Sequence, residues 1–537
     1  MRLRPGATSA VGALFVAAAA MAPLVSSPSA ATLASDERAI VHVLNRIGFG
    51  PRPGDVERIR AIGLRQYVDE QLRPERVPDP GMTARLAGLQ TVVLSSRDIA
   101  EEYERPMLQA RRARKQQQRS SADEPEMMRR PQDAPPGRQR ANIVVVELAE
   151  QKLQRAIYSE RQLEEVLADF WFNHFNVDAR KGRVRFLLTE YEREAIRPHV
   201  LGNFRDLLEA TAKSPAMLFY LDNWMSADPN GPHFDAPIGR EAFGAGSRRP
   251  RGGAALPGTR QLPTQPNRAP RGLNENYARE LMELHTLGVE GGYTQKDVTE
   301  VARAFTGWTI ENPRGGGGFR FEPRLHDDGA KMVLGHSVKA GGGIRDGEQV
   351  LDILARNPST ARFISTKLAR HFVSDVPPAG LVDRLAARFT DTHGDLRAVM
   401  TLLLASPEFL APASYRAKVK TPFEFVVSAV RATGAQFADT RMLIRAVQDL
   451  GMPLYQCQPP TGYKDTADAW TNTGALVNRM NFALAISGAP QVEGAQATFE
   501  ELLAHDLSGT TRATIAKATA PAQALALGLG SPEFQRR

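Results

Sequence analysis

Three short stretches gather side chains that could do chemistry. "NENYARELMELH" places Asn274, Asn276, Arg279, Glu280, Glu283 and His285 within twelve positions. "FWFNHFNVD" embeds Asn173, His174 and Asn176 among aromatics, and "LHDDG" sets His326 beside Asp327. In a catalytic reading Glu280 or Glu283 is the general acid or base, His174 or His285 carries a proton, and Arg279 clamps an anion or carboxylate. Asn173, Asn176, Asn274, Asn276, His326 and Asp327 would then contact substrate, with Trp308 in "TGWT" as a wall for a sugar or peptide. A divalent metal held by imidazole and carboxylate oxygens is a variant of the same idea.

Each stretch also has a plainer reading. Wound as a helix from Asn274, Tyr277, Leu281, Leu284 and Gly288 share one side, and Glu275, Asn276, Arg279, Glu280 and Glu283 share the other. That is a solvated amphipathic helix, with Glu275 and Arg279 as an i,i+4 pair. His285 falls near the apolar side, where a buried imidazole needs a partner. His174 could be a satisfied core histidine, Asp328-Gly329 a hairpin turn and Trp308 a hydrophobic anchor.

Several chemistries are missing. There is no HExxH, and none of the ten histidines has Glu three positions before it. "GHSVK" comes nearest to GxSxG but puts Lys339 where glycine is required. No nucleotide or flavin motif is present. The single cysteine, Cys457, sits in "YQCQPPTGY" without a neighbouring histidine, which excludes a disulfide scaffold and a cysteine zinc site.

These residues must be positioned by a mainly α fold. Thr421-Pro422-Phe423-Glu424 and Thr294-Gln295-Lys296-Asp297 both read as helix starts with capping boxes. A helix near Ala39, Val43 and Ile47 is broken by "GFGPRPGD", and a second begins near Asp55. The β signal is local: "GGFRFEP" and "KMVLGHSV", on either side of "RLHDDGA", suggest a small two-stranded ribbon near 318–337. Gly202-Asn-Phe-Arg205 and Gly394-Asp-Leu-Arg397 echo each other, each followed at equal spacing by Ser-Pro, at Ser214 and Ser406; Ser531-Pro532 adds a third. A Ser-Pro pair stops a helix, and the echo fits either duplication or repeated helix-stop chemistry.

Residues 1–31 carry the basic start, short apolar run and small-residue exit of a Sec-type signal peptide, so the expected location is the periplasm or the outside. No later run approaches membrane-spanning length, and no membrane span is expected after cleavage. Residues 32–537 form one main helical domain, interrupted by basic, flexible insertions at about 105–141 and 225–272. The stretches 105–140 and 225–272 carry +6 and +4 and the leader +2, so of the chain's net +8 the remainder is about −4. A nucleic-acid binder concentrates its charge on a structured face, and no specific nucleic-acid partner is expected.

"VLNRIGFGPRPGDVERI", "FWFNHFNV", "NENYARELMELHTLGVEGGYTQKDVTEVARAFTGWT", "LHDDGAKMVLG" and "SPEF" resemble a bacterial family catalogued as domain of unknown function 1800, from about residue 38 onward outside the two insertions. The resemblance implies an exported, mainly helical protein. It also implies a co-exported partner resembling the domain of unknown function 1501 family, itself similar to sulfatase-like or phosphatase-like proteins. Its motifs coincide with the three polar clusters, and no mechanism comes with it. The expectation is a polar cleft formed by Asn173–Asn176, the Asn274–His285 helix and the His326-Asp327 turn. Either a hydrolase or transferase acting on an envelope or extracellular substrate, or a non-catalytic envelope assembly protein, would use it.

Overall fold

Apolar residues recur at helical spacing through most of the chain, and the computed structural model follows them. It describes residues 37–120, 136–231, 272–492 and 507–537. The expected leader and most of both basic insertions lie outside the described residues. Where the first insertion is described, at 105–120 and 136–141, it is helical. Among the described residues no helix is long and apolar enough to cross a membrane.

The helix Pro422–Thr433 is buried on every face, the pattern of a helix enclosed by its neighbours. Its start is a closed capping box: Glu424 N donates to Thr421 Oγ1 at 3.3 Å, and Thr421 N donates to Glu424 Oε2 at 2.8 Å. The same device opens Gln295–Ala304, where Thr294 and Asp297 cap each other. The early helices are Glu37–Arg46 and Asp55–Ile62, joined through Gly54 in the left-handed region. Around them a single large apolar core runs from Ile40 to Phe534, with a small satellite of Ile99, Tyr103, Ala141, Val144 and Phe186.

The β structure is two hairpins rather than one ribbon. Strand β1 (Trp308–Ile310) pairs antiparallel with β2 (Phe319–Phe321), and β3 (Lys331–Val333) with β4 (His336–Val338). The two runs singled out in the sequence therefore do not pair with each other. "KMVLGHSV" folds on itself at Leu334-Gly335, both with positive φ, the geometry of a type I′ turn. Asp327-Asp328-Gly329 is no hairpin turn: Asp327 Oδ1 accepts from Gly329 N, and Arg303 holds the same carboxylate.

The sequence echo has a structural counterpart. Asn203 and Asp395 cap the helices Phe204–Lys213 and Leu396–Leu404, and the two caps form an antiparallel bridge with each other. Phe204 N donates to Gly394 O and Leu396 N to Gly202 O, a reciprocal pair at 2.8 and 2.9 Å. Ser406 and Ser531 each accept from the backbone of the Phe three positions on, while Ser214 caps the helix that begins at Pro215.

Removing the box at the enclosed helix should be felt globally. Thr421→Ala is expected to lower unfolding free energy by about 1 kcal/mol in urea titration at unchanged slope, the usual cost of a lost cap.

Candidate functional site

The helix Gln162–His174 ends inside an aromatic wall. His174 packs edge-on against Trp171 and Phe175, with ring centroids 5.5 and 4.5 Å apart. Its Nε2 donates to the His285 carbonyl at 3.1 Å, so Nδ1 carries the lone pair and accepts from Lys367 Nζ at 2.8 Å. Burial, then Lys367 and His285, keep this imidazole well below its ordinary range and therefore neutral. The His285 ring lies 6.3 Å from His174 and 5.1 Å from Phe175. Burial, reinforced by Lys367, pushes it down to about 3, and its buried Nε2 has no partner among the described residues. Lys367 is half-buried, and removal of its ammonium from water pushes it down to about 8. Two neutral imidazoles and a readily deprotonated amine thus share one aromatic pocket.

The neighbouring asparagines have a different task. Asn173 Nδ2 donates to Tyr463 O at 2.8 Å while Tyr463 N donates to Asn173 Oδ1 at 2.7 Å. Asn176 Nδ2 donates to the carbonyls of Cys457 and Pro459. The end of the 162–174 helix therefore clasps the 457–463 loop through main-chain groups. Gly462 fits there because its φ is +73° and a Cβ would come within 2.2 Å of the Asn173 carbonyl. Both amides are engaged with the protein's own backbone. Cys457 is buried in the same loop, and burial pushes its thiol up to about 11, away from nucleophilic use.

The helix Glu275–Glu283 follows the expected amphipathic phase, burying Tyr277, Ala278, Leu281 and Met282. Asn274 is its N-cap: Oδ1 accepts from Tyr277 N at 3.1 Å and Nδ2 donates to Leu221 O at 2.6 Å. Asn276 is exposed. Glu275 and Arg279 do not pair directly as the spacing suggests; Gln295 stands between them, donating to Glu275 and accepting from Arg279. Glu283 accepts from the Tyr293 hydroxyl at 2.9 Å. Glu280 is half-buried, and burial together with Glu283 pushes its carboxyl above the ordinary range against the opposing effect of Arg279. It is the carboxyl of this helix best suited to hold and release a proton.

His326, Asp327 and Trp308 form a separate cluster. His326 Nδ1 donates to Thr306 O at 2.8 Å, and its Nε2 faces Asp346 Oδ2 at 3.2 Å. Lys331 Nζ meets the same Asp346 oxygen at 2.6 Å, with both side chains buried. Burial alone would raise the Asp327 carboxyl, but two hydrogen bonds from Arg303 hold it below its ordinary range. Trp308 is fully buried between Phe305 and Phe319, so it is a core anchor and lines no open cleft. No hydrogen bond, ion pair or ring contact among the described residues joins His326, Asp327 or Trp308 to His174 or His285. His174 and His285 come together, while His326, Asp346 and Lys331 form a buried network of their own. Among the described residues no group of three or more His, Cys, Asp and Glu side chains is placed to hold a metal ion.

Lys367, His371 and Asp465 are further candidate residues that no sequence motif marks. Phe363, Lys367 and His371 lie at i, i+4 and i+8 on the helix Pro358–Phe372, the visible signal of one helical stripe. His371 Nδ1 donates to Asp465 Oδ2 at 2.8 Å. Burial of Asp465 is outweighed by His371, Lys418 and Arg537, which hold its carboxyl well below the usual range.

The family model described as "Protein of unknown function (DUF1800)" matches residues 42–536, and the chain belongs to that family. No curated protein and no solved structure matches it.

Two outcomes follow from this geometry. Asn173→Ala removes both bonds to Tyr463 and is expected to cost roughly 1–3 kcal/mol, with faster proteolysis inside 457–463 as the local readout. For Lys367 the ordinary value of 10.5 falls to about 8 in the fold, so folding disfavours the charged amine. That cost is fully present below pH 8 and is relieved as pH rises toward 10.5. Lys367→Met lacks it, so relative to the wild type the variant should be most favoured below pH 8, the advantage shrinking by pH 10.5. A pH-independent difference in chemical unfolding would show that the amine is not perturbed.

Proposed function

We propose that this protein is an exported hydrolase or transferase acting on an envelope or extracellular substrate, with Lys367 and His174 at its chemical centre. The carrying observation is the 2.8 Å contact from Lys367 Nζ to His174 Nδ1, in a pocket that also holds the unpartnered Nε2 of His285. A free amine at neutral to mildly basic pH takes a proton from an attacking hydroxyl or water, and a neutral imidazole fixed by a carbonyl orients that amine. Glu280, its carboxyl raised by burial and Glu283, is the candidate for the complementary acid. Arg279 is left a lesser part, since Gln295 already engages it.

A second reading rests on its own observation. Asn173, Asn176 and Asn274 all donate to main-chain carbonyls of packed loops, as in a polar network that fixes helix packing. Under it the protein is a non-catalytic envelope assembly component working with a co-exported partner of the domain of unknown function 1501 type.

The deciding experiment screens the purified protein against acyl, phosphoryl and glycosyl ester substrates and isolated envelope material, beside Lys367→Met and Glu280→Gln. The enzymatic reading expects turnover that rises toward pH 8 and falls by about 100-fold or more in Lys367→Met, with a cooperative melting transition retained. No turnover, together with collapsed melting temperatures in both variants, would make the cluster a structural network and the assembly reading the better one.

A further inference from the structure

A cavity of about 320 Å³ lies where Asp79–Gly81 meets the ends of the helices Pro136–Tyr158 and Pro422–Thr433. Gly81, Gly434 and Gln436 at its edge are exposed, so it opens to solvent. Its charged walls are Arg52, Arg85 and Arg431 against Asp79 and Glu160, with Asp55 behind them pairing both Arg52 and Arg431. Both lining acids are already engaged: Glu160 accepts from Arg52 Nη2 at 2.7 Å, and Asp79 from the Ser159 hydroxyl at 2.6 Å. Arg431 is buried and donates to the carbonyls of Gly50 and Ile157, reaching Asp55 only at 3.4 Å. Arg85 has no carboxylate partner among the described residues. Its guanidinium lies 3.6 Å over the Tyr158 ring and donates to the Gln436 side-chain carbonyl.

We propose that this cavity binds a small organic carboxylate, with Arg85 as the principal clamp and Arg52 as its neighbour. A guanidinium laid flat on an aromatic ring keeps its planar fork ordered, and that fork matches a carboxylate in two-point contact. The remaining walls, Ile157, Tyr158, Val430 and Ala435, suit an apolar or planar body. The volume is at the lower end of ligand pockets, which limits the guest to a small acid. Burial, then Arg52, brings the Arg431 guanidinium down to about 10, with Asp55 opposing the shift. Nothing in this site depends on Lys367 or His174.

Benzoate is the test probe, titrated calorimetrically into the full chain at fixed ionic strength with chloride as the control. Saturable binding is expected, weakened by about tenfold or more in Arg85→Ala. Gln436→Glu, at the exposed rim, should weaken it similarly by pairing Arg85 internally without disturbing the core. Melting curves of both variants verify that they fold. Absence of saturable binding, unchanged affinity in both folded variants, or displacement of benzoate by equimolar inorganic phosphate would each overturn the assignment.

Discussion

The end of the 162–174 helix lies in the interior, and the organisation around it depends on how its polar groups are satisfied there. A buried amide or imidazole without a partner costs a large fraction of a domain's net stability. Asn173 and Asn176 meet that constraint by donating to the main chain of the 457–463 loop. His174 meets it with a carbonyl on one side and an amine on the other. These bonds tie the 162–174 helix to the turn after the 275–283 helix, the 358–372 helix and the late loop at once. One helix end thereby sets the relative positions of segments almost three hundred residues apart.

The same enclosure sets the protonation states. Aromatic rings exclude water from His174 and His285, so both imidazoles stay neutral and the nearby ammonium is discouraged. The His326–Asp346–Lys331 cluster shows the other solution to burying charge, with opposite charges at hydrogen-bond distance and every member engaged. The contrast decides where function is sought. A closed network fixes packing, whereas His285 Nε2 remains without a partner among the described residues.

Local features of the fold were legible. The capping boxes at Thr294 and Thr421, the break at "GFGPRPGD" and the amphipathic phase of the 275–283 helix all act within a few residues, where steric and hydrogen-bonding rules are strong. The hairpins were only half legible. Asp328-Gly329 looks like a turn, but the preceding Asp327 accepts from Gly329 N and is held by Arg303, twenty-four residues earlier, and the reversal falls at Leu334-Gly335. The echoed helix entries at 203 and 395 were visible as a pattern, whereas their pairing across the fold was not.

The candidate site divides in the same way. Residue types and spacing by themselves determined a mainly helical chain, the family to which it belongs, and the stretches in which polar groups intrude on apolar ones. Only tertiary structure decided that His174 faces His285 and not His326, that Lys367 joins them, that the asparagines hold a loop, and that Trp308 is core. The reason is range. Helix propensity, capping and amphipathic phase are set by neighbours three or four residues away, while the partner of a buried polar group is set by whichever distant segment packing brings within 3 Å.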